Sequence, residues 1–160
     1  MQIRIRETGA VVFDNEFRQY AQTQGSIFGA PLTEEFINQY GGDVVLEGPQ
    51  ASGGTVYQYS QRSGVEQLDG KWYTKYILGP VFTDGETTAA EQETAYRAMK
   101  DAEQATSVRA SRTQMLKDCD WTQIADSTAD KTAWATYRTA LRNVPAQAGF
   151  PWTITWPESP

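Results

Sequence analysis

The chain has 160 residues, of which 39% are hydrophobic, 12% aromatic and 21% charged, with a net charge of −6. This composition supports a folded core and argues against the uniformly basic footprint of a nucleic-acid binder or of a protein drawn to anionic lipid. With no histidine and a single cysteine, Cys119, it excludes the usual Ser-His-Asp and Cys-His nucleophile machinery, the commonest metal ligand and an internal disulfide.

The opening MQIRIRETG has no apolar signal core, and apolar runs elsewhere are short, so neither a signal peptide nor a membrane span is expected. Ile3 and Ile5 alternate with polar residues. Glu7-Thr8-Gly9 offers a turn and Ala10 to Phe13 is apolar again, so the chain should open with a β-hairpin. Asp14 can cap a short helix from Asn15 to about Thr23, with Phe17 and Tyr20 on one face. Thr33 can cap a second, with Phe36, Ile37 and Tyr40 as its apolar stripe and Gly41-Gly42 as its stop.

From Val44 to Leu78 the period shifts towards two. Val44 to Leu46 reads as a short strand, Glu47 to Gly54 as a flexible loop, and Thr55 to Gln61 as an alternating strand. Val65 to Leu68 and Lys71 to Leu78 flank Asp69-Gly70, the residues of a tight hairpin turn. Trp72, Tyr73 and Tyr76 suit a pleated, half-buried surface.

Composition changes after Gly85. Glu86 to Lys117 contains no glycine or proline and is rich in strong helix formers. A continuous helix here would be ~48 Å long. Its apolar stripe, including Tyr96, Met99, Val108 and Met115, is thin and alanine-rich. A solvated spacer, a coiled-coil strand and half of a helical hairpin all fit; a spacer that meets a partner over part of its length is favoured. Asp118 to Asp126 breaks the helix. Ser127 or Thr128 can cap another from Ala129 to about Val144, on which Trp134, Tyr137, Arg138 and Leu141 share a face. Pro145 ends it, and an extended aromatic tail follows.

The expected fold is α+β: a small antiparallel β-rich module with short helices over 1–82, a long helix or spacer over 83–117, and a C-terminal helical hairpin with its tail over 118–160.

Candidates for chemistry are weak. Asp118-Cys119-Asp120, with Asp126 and Asp130, has the alternation that starts a calcium loop but lacks the glycine and terminal glutamate, so a capped turn between helices is the simpler reading. Glu34, Glu35, Glu66, Asp69, Asp84 and Glu86 are possible acid/base carboxylates without a recognisable context. Cys119, flanked by two aspartates and with no histidine to activate it, is a poor candidate nucleophile. Arg109, Arg112 and Lys117 near a helix end complement its dipole. No catalytic residue, cofactor or metal is expected.

The aromatic residues stand out instead. Trp121, Trp134, Trp152 and Trp156 join Phe150 in the last part of the chain. Each large ring brings ~150–250 Å² of surface to bury. Most can form a mini-core in which the tail folds back on the Trp134 helix, with one or two left for a partner. Arg138 and Arg142, one turn apart, are placed to pair with Asp120, Asp126 or acids of a partner.

These residues also carry a resemblance. Asp120-Trp121-Thr122-Gln123, Lys131 to Arg142 (KTAWATYRTALR), Pro145 to Pro151 (PAQAGFP) and Trp156-Pro157 resemble the phage tail assembly chaperone family over roughly residues 105 to 160. Val65 to Trp72 is similar, less specifically, to the N-terminal part of such proteins from tailed phages. The resemblance implies a non-enzymatic protein acting in the host cytoplasm during assembly, in the virion tail, or in both. It would bind a tail-fibre or baseplate protein, without nucleic acid or membrane, and its motif or partner-binding residues would be Asp120, Trp121, Trp134, Tyr137, Arg138, Leu141, Arg142, Phe150, Trp152 and Trp156, with Trp134, Tyr137 and Leu141 packing against the tail. A homotrimer follows by analogy with fibres. A permanent fibre, baseplate or head-decoration protein is the alternative, and a carboxylate-dependent glycosidase the remote one.

Overall fold

A computed structural model describes residues 1–160 as a mixed α+β protein. It divides into two compact units, Met1–Val81 and Phe82–Pro160.

The first unit is built on a five-stranded sheet. Its strands are β1 (Gln2–Ile5), β2 (Val11–Phe13), β3 (Gly42–Leu46), β4 (Tyr59–Leu68) and β5 (Lys71–Gly79), in the order β2-β1-β3-β5-β4. The expected opening hairpin forms, with Ile3 opposite Val12. The expected antiparallel sheet is corrected in one place. β3 and β5 pair in parallel, Val45 opposite Trp72 and Leu46 opposite Tyr73, so the sheet is mixed. The cause lies in composition. β5 (KWYTKYILG) is the more apolar partner of its hairpin and takes the inner place, while the polar β4 (YSQRSGVEQL) is left at the edge, broken by a register shift between Arg62 and Val65. The hairpin turn falls at Asp69 and Gly70, with φ of +48° and +77°. The strand expected from Thr55 begins only at Tyr59, because the Gln58 amide oxygen accepts from the N–H and hydroxyl of Thr55 and folds that segment into a turn.

Two helices, α1 (Asp14–Thr23) and α2 (Glu34–Gln39), cover one sheet face. Ile3, Ile5, Phe17, Ala21 and Ile37 form the core there. Thr33 caps α2 as expected, its hydroxyl accepting from Phe36 N–H at 3.1 Å. Asp14 does not cap α1. Phe13 holds the cap position, its N–H donating to the Glu16 carboxylate, and Asp14 pairs with the N-terminal amine at 3.0 Å. Gly42 is required by close packing: a Cβ there would stand 2.6 Å from the Phe17 ring. On the opposite face the Arg4 guanidinium lies 4.1 Å from the centre of the Trp72 ring.

The second unit is organised by α3 (Ala89–Asp118), 30 residues long and so ~45 Å in length. It starts three residues later than Glu86, because Thr88 and Glu91 form a capping box. Hydrogen bonds from the Thr88 backbone and hydroxyl hold the Glu91 carboxyl below its usual pKa. A short 3₁₀ turn, Asp120–Gln123, leads towards α4 (Lys131–Asn143). Asp130, rather than Ser127 or Thr128, caps α4. Its carboxylate accepts from Thr132 and Ala133 N–H, both at 3.0 Å, and it displaces the helix start from Ala129 to Lys131.

Candidate partner-binding site

Of the expected site residues, Asp120 and Arg138 meet where α3 ends and α4 passes it. Arg138 is the centre. Its Nη1 donates to the Leu116 carbonyl at 2.8 Å and to Cys119 Sγ at 3.0 Å, and its Nη2 donates to Asp120 Oδ1 at 2.7 Å. The last carbonyls of a helix have no partner within it, and a cation there also meets the negative end of the helix dipole. Arg138 therefore fastens α4 to the end of α3. Burial works against the charged guanidinium, but the hydrogen bonds to Asp120 and Cys119 outweigh it and leave its pKa raised. Cys119 is buried beneath this contact, and Thr122, fully buried, donates its hydroxyl to the Cys119 carbonyl at 2.7 Å. Leu141, one turn further along α4, is fully buried, whereas Arg142 is exposed.

The aromatic residues divide into two groups. Trp121, Trp134 and Tyr137 form one ladder. The Trp121 and Trp134 rings are 6.1 Å apart, and Trp134 meets Tyr137 edge-on at 5.6 Å. Trp134 is half-buried, less than a core position. Trp134→Ala should accordingly cost about 1–3 kcal/mol in urea unfolding, below the 3–5 kcal/mol of a fully enclosed ring. Trp121 is 55% exposed, as is Ile124 on the same corner, a residue the sequence reading passed over.

Phe150, Trp152 and Trp156 form the other group, and all three are half-buried. The tail carrying them is a folded clasp. Gln147 holds Thr155 by two hydrogen bonds: its Nε2 donates to the Thr155 carbonyl at 2.7 Å, and its Oε1 accepts from Thr155 N–H at 2.9 Å. Gly149 accommodates the close return of the chain, since a Cβ there would lie 2.5 Å from the Thr153 carbonyl oxygen. Phe150 then lies under Arg109, whose guanidinium is 5.2 Å from the ring centre, and Trp152 Nε1 donates to Asp101 Oδ1 at 2.6 Å. Both anchors are on α3, so the tail runs along that helix and not, as expected, along the helix of Trp134.

The other candidate acids serve local structure or stand apart. Asp84 accepts from Ala89 N–H at the start of α3, Asp118 accepts from Gln114, and Asp69 occupies the hairpin turn. Glu86 is exposed ahead of α3, Asp126 is exposed between the 3₁₀ turn and α4, and Glu66 lies on β4. A cavity of about 450 Å³ in the first unit is lined by Glu34 and Asp43, among others. Asp43 faces Arg6 at 2.7 Å and Arg4 at 3.6 Å. Those pairs tie β3 to Arg4 of β1 and to Arg6, which follows it.

Comparison with known families bears on this corner and clasp. Residues 105–160 match the family of phage tail assembly chaperone proteins. Everything before Ala105 lies outside that match. No curated protein and no solved structure matches the chain. The tail assembly chaperone match begins within α3 and takes in the Arg138–Asp120 contact, the Trp121–Trp134–Tyr137 ladder and the whole tail. It suggests a tail-assembly role, non-enzymatic and exercised through tail proteins. No helix is long and apolar enough to cross a membrane.

Proposed function

We propose that the chain is a non-enzymatic protein of a tailed bacteriophage that binds a tail-fibre or baseplate protein and supports its assembly or attachment. The supporting observation is the corner at the end of α3. Trp121 and Ile124 are held outward on a turn secured by the Arg138–Asp120 contact. A large apolar anchor on a rigid mount is how a small protein grips another, because little ordering entropy remains to be lost on binding. In this reading Asp120, Trp134, Tyr137, Arg138 and Leu141 build the mount, and Phe150, Trp152 and Trp156 fold the tail against α3. Arg142, exposed on α4, is available to an acidic group of the partner.

The test uses the full chain and purified fibre and baseplate proteins of the same phage, titrated by calorimetry. Trp121→Ala should weaken the complex at least tenfold, and Trp121→Ala with Ile124→Asp should abolish it, while stability falls by only about 0.5–1.5 kcal/mol through loss of the ring contact with Trp134. Undiminished binding by the double variant would refute this grip. Copy number in purified virions then separates a factor that leaves from a part that stays.

A further inference from the structure

Between Glu103 and Asp118, α3 carries Arg109, Arg112 and Lys117 and no acidic residue, in a chain of net charge −6. The first half of the same helix is built differently. There Glu93 pairs with Arg97 at 2.6 Å and Lys100 with Glu103 at 2.8 Å, each within one turn. The attraction of a cation to the end of a helix fades within the last turn, so the dipole accounts for Lys117 alone. Arg109 and Arg112 lie farther back. They are one turn apart and so neighbours on the helix surface, where like charges repel.

Both side chains are held in place. The Arg109 guanidinium lies 5.2 Å from the centre of the Phe150 ring. A stacked guanidinium uses its face on the ring and keeps the N–H donors of its edge for an acceptor. Arg112 follows the buried Ala105 and Val108 along the inward side of α3 and is itself half-buried. Its Nε is closed to solvent and meets no acceptor, and none of the ion pairs of the second unit reaches it. A buried donor without an acceptor is destabilising, and folded proteins rarely keep one without a use for it. Acids are not scarce here, since they outnumber bases over residues 82–160. They are simply placed elsewhere.

We infer that Arg109 and Arg112 receive carboxylates from an acidic segment of the partner protein. The inference rests on the proposed binding of a tail protein and adds the chemistry of the segment bound. A carboxylate matches the fork of a guanidinium, and its charge relieves the repulsion between the two arginines. Nucleic acid or an anionic membrane would need a broader basic surface than two arginines in a chain of net charge −6.

Calorimetric titration of the full chain tests this, with purified fibre and baseplate proteins, with a hexaglutamate peptide and with inorganic phosphate. Arg112→Gln should weaken the protein complex about fivefold in about 50 mM salt and less than about twofold in about 500 mM, because the contact is between charges. Arg112→Lys keeps the stem and the charge and loses the fork, so it should melt like the native chain and bind with intermediate strength. Hexaglutamate should bind weakly, and Arg109→Gln with Arg112→Gln should abolish that binding. A protein complex indifferent to Arg112→Gln would overturn the inference and leave the Trp121 grip standing. Absence of any protein complex would sink that grip, and hexaglutamate would then decide alone: binding that needs both arginines sustains a site for acidic segments, and no binding overturns it. An Arg112→Lys variant that melts lower yet binds in full would assign Arg112 to packing and overturn its role. Phosphate binding that needs both arginines, with hexaglutamate inert, would give the pair to a free oxyanion instead of a partner.

Discussion

Arg138→Ala should lower stability by about 2–4 kcal/mol, read by urea unfolding, and blunt the proposed partner binding with it. The Asp120 side chain is 63% exposed and returns to water at small cost. The loss arises on the other side of the contact. The Leu116 carbonyl forfeits a charged donor where α3 ends, Cys119 Sγ loses the guanidinium and keeps only its bond to that carbonyl, and the space left by the aliphatic stem lies beside the helix end. Asp120→Asn tests this division, because an amide oxygen can still accept from Nη2, so it should cost less than half as much. Equal losses in the two variants would mean that the ion pair, rather than the carbonyl contact, holds α4. The pH response follows from the raised pKa. A group protonated more readily when folded stabilises at every pH below its ordinary range and loses that effect only as pH rises through its folded value. The contribution of this guanidinium is therefore flat across neutral pH.

Much of this arrangement is legible in the sequence where the signal is local. Asp69-Gly70 between alternating segments specifies its hairpin because the turn needs left-handed backbone. The run from Glu86 to Lys117 reads as helix because nothing in it interrupts one, and the spacing of Trp134, Tyr137, Arg138 and Leu141 places them on one face. What is not legible is which competing local solution prevails. Ser127, Thr128 and Asp130 are all able caps, and only the geometry selects Asp130. The parallel pairing of β3 with β5 is a contest between two strands for an inner position, which no window of sequence records.

Burial escapes the sequence in both directions. Arg138, whose spacing puts it on the face of Trp134 and Leu141 and whose pairing with Asp120 is expected, is also nearly enclosed, since a long stem can lie against apolar neighbours while its head meets a carbonyl. Ile27 and Phe28 are large apolar residues that nonetheless stand in solvent, between Gly25 and Gly29 at positive φ. Gln147 and Gly149 belong to the recognisable tail pattern, yet their roles, a two-point clamp and a close chain return, exist only once the tail has folded.

Removing Phe150–Pro160 should destabilise the second unit by about 3–6 kcal/mol, with stronger binding of a hydrophobic dye and concentration-dependent association. Three half-buried rings go at once, together with the Trp152–Asp101 hydrogen bond and the Thr155 half of the Gln147 clamp. The helix loses its cover as well, since Arg109 is left without the Phe150 ring, and Asp101 without the indole. Trp152→Phe alone should cost about 1–2 kcal/mol, because it removes the charge-assisted bond to Asp101 while a ring stays seated. A large deletion effect with a small point effect would place the energy in apolar burial. A deletion that melts like the intact chain would mean that the clasp is held by its own turns without supporting α3, and its aromatic residues would then be free to serve a partner.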